Sequence, residues 1–385
     1  MRKSGLPWIV ICVAILGLVL GGCAGKDGKD GLAGLNGTNG TNGTDGDDGT
    51  DGDDGINGID GTGIAACQPC HSDTATFAVK AAMTQWNHSR HSSDAILWET
   101  NRGATSWCAS CHNSEGFVAA VGGTPAIAEM PTPIGCRTCH APHTNKNFDL
   151  RTTAAYTLKN AVVFNKGQGN LCANCHHSRT DVRAAFPADS IMLPIANERL
   201  GPHEGPQAEA YAATGGYLFG RIDPMPKSAH YNAAANSCVD CHMFKPLGTT
   251  VGGHTFSMAN EEEGGDNLAA CNQDDCHSSL TTFDRPTPGT LDEADWDRDG
   301  TIEGTQTEFD GLLNQLRVAL VARGALNPEP GDLIDTSVPG RYPKNVVGAV
   351  YNFRLALKEG SRGIHNTKYI MTLMRLSLES LPPLP

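Results

Sequence analysis

Twelve of the 14 cysteines fall into six pairs, and in every pair histidine follows the second cysteine at once. Five pairs have two residues between them: Cys67/Cys70/His71, Cys108/Cys111/His112, Cys136/Cys139/His140, Cys172/Cys175/His176 and Cys238/Cys241/His242. The sixth, Cys271/Cys276/His277, has four. Close cysteine pairs serve three chemistries: a disulfide framework, a thiolate zinc site, or two thioether bonds to a porphyrin whose iron takes the next residue. Only the third gives the histidine a reason to be there. With 14 histidines in 385 residues, six coincidental placements have a chance on the order of 10⁻⁹. The pattern therefore predicts six covalently bound haem c groups, with His71, His112, His140, His176, His242 and His277 as proximal iron ligands. Four residues inside the sixth pair do not forbid attachment, because a loop can bulge while its ends still reach the two vinyl groups. Asn272, Gln273, Asp274 and Asp275 are all polar, as a solvent-facing bulge requires. The competing reading of this pair alone is a disulfide with an incidental His277.

Each such iron has a second axial position. Eight histidines lie outside the motifs: His88, His91, His143, His177, His203, His230, His254 and His365. Supply favours them over the nearest methionines, Met243 and Met258. His88 and His91 are three apart and so share one side of a helix. His143 is too near His140 to approach the same iron from the opposite face, and is expected to address a neighbouring haem; the same steric argument applies to His177 beside His176. His203, His230 and His254 sit among glycine, proline and small residues that let backbone approach a macrocycle closely. The two histidines beyond the need of six irons are read as His88 and His177, while the pairing of distal with proximal residues is not legible. Paired imidazoles lack the thioether that raises a haem's potential, so the potentials are expected to be mostly low.

On these motifs, the chain from residue 64 onward resembles the exported multihaem c-type cytochromes of respiring bacteria. The spacing of the sixth motif is similar to one found in the small tetrahaem cytochromes of sulfate reducers. The resemblance implies an electron carrier at the outer membrane or cell surface. Its partners would be other redox proteins of the periplasm or outer membrane, or extracellular acceptors. The stretch GSRGIHNTKY, containing His365, resembles the late segment of the pentahaem ammonia-forming nitrite reductases and their octahaem relatives, where such a histidine is a distal ligand. This brings a second reading, a reductase of nitrite, hydroxylamine or a sulfur oxyanion with one open iron. The pentahaem enzymes use lysine in the catalytic motif, and no C-x-x-C-K occurs here, which favours the carrier. A third reading is a subunit of a polymeric filament, with a spare histidine ligating a neighbour's haem.

The segments flanking the motifs say where such an array is held. Arg2 and Lys3 precede an apolar run from Leu6 to Leu20, shorter than the roughly 18–20 residues of a membrane span. The run ends in Leu-Gly-Gly-Cys, which resembles a bacterial lipoprotein signal and implies cleavage before Cys23 and acylation of its thiol. Ala24, rather than aspartate, fits outer-membrane sorting; an ordinary secretory cut nearby is the alternative. From Gly25 to Gly61 a glycine falls at every third position, 13 in succession, with nine aspartates and no proline between. That period permits a collagen-like homotrimer, but the crowded negative charge favours an extended, solvated spacer. The expected organisation is a signal peptide over 1–22, a lipid-anchored Gly-X-Y spacer over 23–63, a six-haem domain over 64–290 and a C-terminal helical segment over 291–385. A formal net charge of −13 argues against a nucleic-acid partner.

The fold expected from this pattern is mainly short α-helices and loops wrapped around haems, with little β structure. A hairpin is expected around AYTLKNAVVF, residues 155–164. Core-forming residues are scarce, so haem planes rather than side chains are expected to fill the interior. Longer helices are predicted only near the end, with apolar faces at Phe309, Leu312, Leu313, Leu316 and Leu320, then Val347, Val350, Tyr351 and Leu355 up to a stop at Gly360, then Ile370, Leu373, Met374 and Leu378. Ahead of them, Asp295, Asp297, Asp299, Gly300, Thr301 and Ile302 follow the spacing of a calcium loop. Gln306 stands where the bidentate glutamate normally falls, and Glu308 is a substitute two residues on. The alternative is a solvated acidic turn.

Overall fold

A C-x-x-C pair one helical turn apart places both sulfurs on one side of the backbone, and the described motifs fold that way. The computed structural model describes residues 79–93, 108–122, 131–145, 147–195, 200–245, 248–260, 265–273, 276–328 and 340–384. The signal-like run, Cys23, the Gly-X-Y segment, Cys67, Cys70, His71, Asp274 and Asp275 lie outside them. After α1 (Val79–Asn87), short helices carry or open the motifs: α2 (Ala109–His112), α3 (Cys136–Cys139), α4 (Gly169–Ala173) and α5 (Cys238–His242). In three regular motifs the histidine N–H closes onto the first cysteine's carbonyl, at 3.1 Å for His112, 2.9 Å for His140 and 2.9 Å for His176. His277 makes the same closure onto Cys271 at 3.0 Å despite the two extra residues.

Strands are minimal. β1 (Tyr156–Thr157) and β2 (Val163–Phe164) form the hairpin, with Tyr156 opposite Phe164. β3 (Met192–Pro194) pairs across the sequence with β6 (Arg341–Pro343), and β4 (Ala259–Asn260) pairs with β5 (Gly265–Asp266); all three ribbons are antiparallel. The fold is thus mainly short helices and loops.

Three longer helices end the chain: α6 (Thr305–Val321), α7 (Lys344–Glu359) and α8 (Thr367–Ser380). Their buried faces contain Phe309, Leu312, Leu316, Leu320, Val347, Val350, Tyr351, Leu355, Ile370, Leu373 and Met374, and they share one core with Val182, Phe186, Leu193 and Ile195. Leu313 and Leu378 pack at its margin. Gly360 ends α7 in the left-handed region at φ 77°. The buried amide of Asn352 joins the layers, accepting from Tyr217 N at 2.8 Å and donating to Tyr217 O at 2.8 Å and to Ser377 Oγ at 3.0 Å. The expectation that side chains do not fill the interior is therefore corrected here: the C-terminal third has a conventional apolar core. It applies better to the motif segments. Among their described residues Ala109, Phe117, Val118, Val251 and Ala270 are buried but join neither apolar cluster, the second cluster being a small one around Leu158, Phe164 and Tyr211.

Phe186 stacks on Tyr217 with ring centres 4.3 Å apart, and a Cβ on Gly348 would lie 2.1 Å from the Tyr217 ring. Gly348→Ala should therefore cost about 1–3 kcal/mol through overpacking, and Leu316→Ala about 2–5 kcal/mol through the cavity it leaves. Chemical denaturation followed by circular dichroism checks both; an unchanged midpoint for Gly348→Ala would mean that the Tyr217 ring gives way without cost.

Candidate functional site

Five of the six motif histidines are described, and each faces one histidine from a distant segment. Ring centres are 6.2 Å apart for His112 and His203, 6.3 Å for His140 and His254, 6.1 Å for His176 and His91, 6.1 Å for His242 and His365, and 6.2 Å for His277 and His230. With a metal–nitrogen bond of about 2.0–2.1 Å and a ring nitrogen about 1.1 Å from its ring centre, two imidazoles on opposite sides of one metal have centres about 6.3 Å apart. Ordinary aromatic packing spans about 4.5–7 Å, so a single pair would decide nothing. Ring contacts elsewhere in the described residues run from 4.3 to 6.2 Å, so what marks these five is that each joins one motif histidine to one outside the motifs, all within 6.1–6.3 Å.

Five of the ten paired rings use their nitrogens alike. Nδ1 faces an oxygen in His176 (Gln207 Oε1, 3.2 Å), His203 (Glu204 O, 3.2 Å), His230 (Ile364 O, 3.0 Å), His242 (Phe256 O, 2.8 Å) and His365 (Glu359 Oε2, 2.8 Å). An oxygen acceptor holds the proton on Nδ1 and leaves the Nε2 lone pair free to ligate. Among the described residues, no hydrogen bond reaches Nε2 in these five rings. His277 differs, because its Nδ1 faces Arg285 Nη1 at 2.8 Å and a guanidinium only donates. His242 is held down at about 4, first by burial and then by the facing His365. Burial likewise lowers His176, His230 and His254. These rings are therefore neutral at pH 7, as metal ligands must be. Burial would lower His365 too, but the hydrogen bond and charge of Glu359 outweigh it and raise this ring.

His177 is different. Its Nε2 meets Tyr156 Oη at 2.9 Å and its Nδ1 meets Ser178 O at 2.6 Å, so both nitrogens are taken. His88 is exposed beyond the end of α1 and His143 is exposed in the helix Pro142–Asn145.

Local structure explains how the partners are aimed. His203 sits in the left-handed region at φ 74°, between Gly201 and Gly205. The His254 N–H donates to Gln85 Oε1 at 3.0 Å, tying its 3₁₀ turn to α1, which leads into the short helix bearing His91. Phe256 lies between these two histidines, with ring centres 4.9 Å from His91 and 6.1 Å from His254. His365 lies in the tight connection between α7 and α8, shaped by positive φ at Gly360, Arg362 and Gly363. Arg362 is anchored to Asp310 of α6, and the Asn366 side chain caps α8 by accepting from Tyr369 N. The Ser228 hydroxyl donates to His365 O at 3.2 Å, and the adjoining helix Ala229–Ala233 carries His230.

The motifs also touch one another. Cys111 Sγ donates to Asn174 O at 3.7 Å and Cys175 Sγ donates to Ser110 O at 3.6 Å, a reciprocal contact. Hydrogen bonding between the sulfurs also joins Cys111 to Cys175 and Cys238 to Cys172, lowering the first of each pair and raising the second. α4 lies so close to the start of α5 that a Cβ on Gly169 would fall 1.9 Å from Ser237 Oγ. Cys241 is pushed up to about 12 by burial and then by Cys271. The order of neighbours is thus Cys108–His112, Cys172–His176, Cys238–His242 and Cys271–His277. None of the ten described motif cysteines is paired in a disulfide.

In the acidic loop, Asp295, Asp297 and Glu308 bring carboxylate oxygens within 4.8 Å of one another, as do Asp297, Asp299 and Glu303. Glu308, buried, rather than Gln306 closes the loop; its carboxylate accepts from Trp296 N, Asp297 N and Glu303 N. The Gln306 backbone is instead capped by Asp284 Oδ1 at 2.7 Å, and Thr301 N donates to Asp299 Oδ1 at 2.8 Å. Burial, then the adjoining carboxylates, raise the Asp297 pKa. Four or five close carboxylates suit a hard divalent cation such as calcium.

No family model and no curated protein matches the chain. Among solved structures it is similar to the outer cell wall cytochrome OcwA, with a TM-score of 0.45 and 18% identity over 78% of this chain and 50% of that one. It is also similar to an undecahaem cytochrome from the S-layer of Carboxydothermus ferrireducens, with a TM-score of 0.44 and 18% identity over 78% of this chain and 41% of that one. The chain therefore spans half the length of these structures or less.

Gln207, Phe256, Arg285 and Glu359 were not singled out from sequence. Nothing in their spacing marks them, since each meets its histidine through tertiary packing. Only Glu359, a carboxylate just before the helix-ending Gly360 and six residues from His365, lies close enough along the chain for a local signal.

Proposed function

We propose that the chain is an exported multihaem c-type cytochrome that passes electrons along a row of haems with two histidine ligands each. The observation that carries this reading is the set of five histidine pairs at 6.1–6.3 Å. Bound haem would supply reversible one-electron chemistry at iron; the chain's own residues do the rest. The motif cysteines hold the macrocycle edges. The facing imidazoles would hold the iron, and the oxygen acceptors on Nδ1 of His176, His203, His230, His242 and His365 fix those rings' tautomer and tilt. Contacts between successive motifs keep neighbouring groups close enough for electrons to hop. His71 is assigned the sixth haem, with His88 and His143 as the candidates for its partner. Acylation at Cys23 and the Gly-X-Y spacer would hold this unit away from an outer-membrane surface.

A reductase requires an iron with an open position. Second imidazoles face all five described motif histidines, which favours the carrier and confines the reductase reading to the Cys67–His71 site. The acidic loop is assigned a structural calcium ion held by Asp295, Asp297, Asp299, Glu303 and Glu308. Its place between the last motif and α6 makes it a brace for that junction.

Pyridine haemochrome analysis of the purified protein should return six haems per chain, and the reduced protein should bind carbon monoxide at no more than one of them. A count of five would remove Cys271/Cys276 as an attachment site, and the absence of c-type absorption would end the reading altogether. His254→Ala should convert one haem from low to high spin without lowering the count, as read by electron paramagnetic resonance. Calcium at 100 times its dissociation constant should stabilise the fold by about 2.7 kcal/mol. Thermal unfolding with calcium or a chelator measures this, and Asp297→Asn should lose most of the difference.

A further inference from the structure

We propose that Phe256 is a positioning residue shared by three of the histidine pairs: its ring fixes the tilt of the second imidazoles His91 and His254, and its carbonyl fixes that of the motif imidazole His242. The proposal rests on the haem reading above, with Phe256 acting through the ligands and holding no iron itself. The Phe256 ring centre lies 4.9 Å from that of His91, with 66° between the planes, and 6.1 Å from that of His254, with 69°. Both are edge-to-face contacts, a geometry aromatic rings prefer. His91 faces His176 and His254 faces His140, so one ring is wedged between two pairs. The Phe256 carbonyl accepts from His242 Nδ1 at 2.8 Å, and His242 faces His365 in a third pair.

The backbone explains how one residue reaches all three. Residues 252–257 form a tight loop closed by Gly252 N donating to Ser257 O at 2.8 Å, and Gly253 N donates to Phe244 O at 3.0 Å, two residues beyond His242. The loop is thereby seated on the His242 motif. Within it the 3₁₀ turn Gly253–Thr255 carries His254, and Phe256 follows at φ 58° and ψ 3°. Glycine takes this left-handed conformation at no steric cost, whereas a bulky side chain there is an outlier. Such strain persists where surrounding contacts over-determine it, and at Phe256 the contacts include three imidazoles. An imidazole that ligates through Nε2 can still rotate about the bond it forms, and packing on its flank or an acceptor fixed at Nδ1 stops that rotation.

The test is electron paramagnetic resonance of the fully oxidised, haem-loaded protein, whose low-spin g values follow the orientation of the axial imidazoles. Signals are assigned to sites by their loss in His91→Ala, His254→Ala and His365→Ala. Phe256→Gly removes the ring and keeps the left-handed backbone, so the His91 and His254 signals should shift beyond their wild-type linewidths while the signal of the His242–His365 site stays. Phe256→Val removes the ring and, being β-branched, resists a positive φ, so all three signals should shift. Phe256→Tyr keeps ring and backbone and should shift none. If a variant loses a haem by pyridine haemochrome count, the lost one should belong to these three sites. Unmoved His91 and His254 signals in Phe256→Gly, a third signal that behaves alike in Phe256→Gly and Phe256→Val, a Phe256→Tyr shift as large as that of Phe256→Gly, or loss of a haem elsewhere overturns the proposal while leaving the cytochrome reading intact. A wild type without c-type absorption overturns the reading on which it stands.

Discussion

Two imidazoles that must meet one metal from opposite sides have to be fixed at one separation, and no local sequence rule can do this because the two rings come from distant segments. The motif supplies only half of each site: a short helical turn, closed by the histidine N–H on the first cysteine's carbonyl. The other half depends on where the rest of the chain can be pinned. That is why three of the five described second histidines occur in unusual backbone, at a positive φ for His203, in a 3₁₀ turn for His254 and in a left-handed connection for His365, while His91 and His230 sit on helices of a single turn. Regular helix or strand would fix side-chain direction by its own period, whereas these turns leave it to be set by contacts from elsewhere.

The consequence is a division of labour between two kinds of packing. In the C-terminal third, apolar faces at helical spacing bury one another, and the structure is what periodicity alone implies. Those faces were legible from Phe309, Leu316, Tyr351 and Met374 because helical apolar residues recur with a fixed period. Along the motif segments buried apolar side chains are few, and order comes from hydrogen bonds. Arg151 illustrates this, donating to the carbonyls of Thr138, Arg137 and His140 and so holding the third motif's turn from outside.

The candidate site was legible to the same depth. Cysteine spacing is the ground for the proposed attachment chemistry, and counting offers eight histidines for six proposed positions. Pairing was not legible, since His176 meets His91 and His277 meets His230 only through contacts between loops. The calcium-like loop shows the same limit on a smaller scale. Fixed spacing pointed to Gln306, but α6 starts at Thr305 and its first turn is capped by Asp284. Asp284 takes up the Gln306 backbone N–H, and Glu308 on the same helix supplies the carboxylate that closes the loop.

The described sites are consequently not all held in the same way. His365 sits between two core helices, Arg285 accepts from Thr305 N and Oγ1 at the start of α6, and the His230 helix is tied to His365 through Ser228. These sites share the rigidity of the apolar core. The Cys136–His140 site rests instead on Arg151, on the contact between Gln85 and His254, and on Trp86 donating to Ile134 O at 2.9 Å. Arg151 donates three hydrogen bonds and the other two are single polar contacts, and each hydrogen bond contributes only about 0.5–1.5 kcal/mol. Local opening follows the weakest set of contacts, so the Cys136–His140 site yields before the sites fastened to α6, α7 and α8. The order in which the sites loosen is thus fixed by how much conventional core each histidine pair can lean on, and not by the motifs, which are nearly alike.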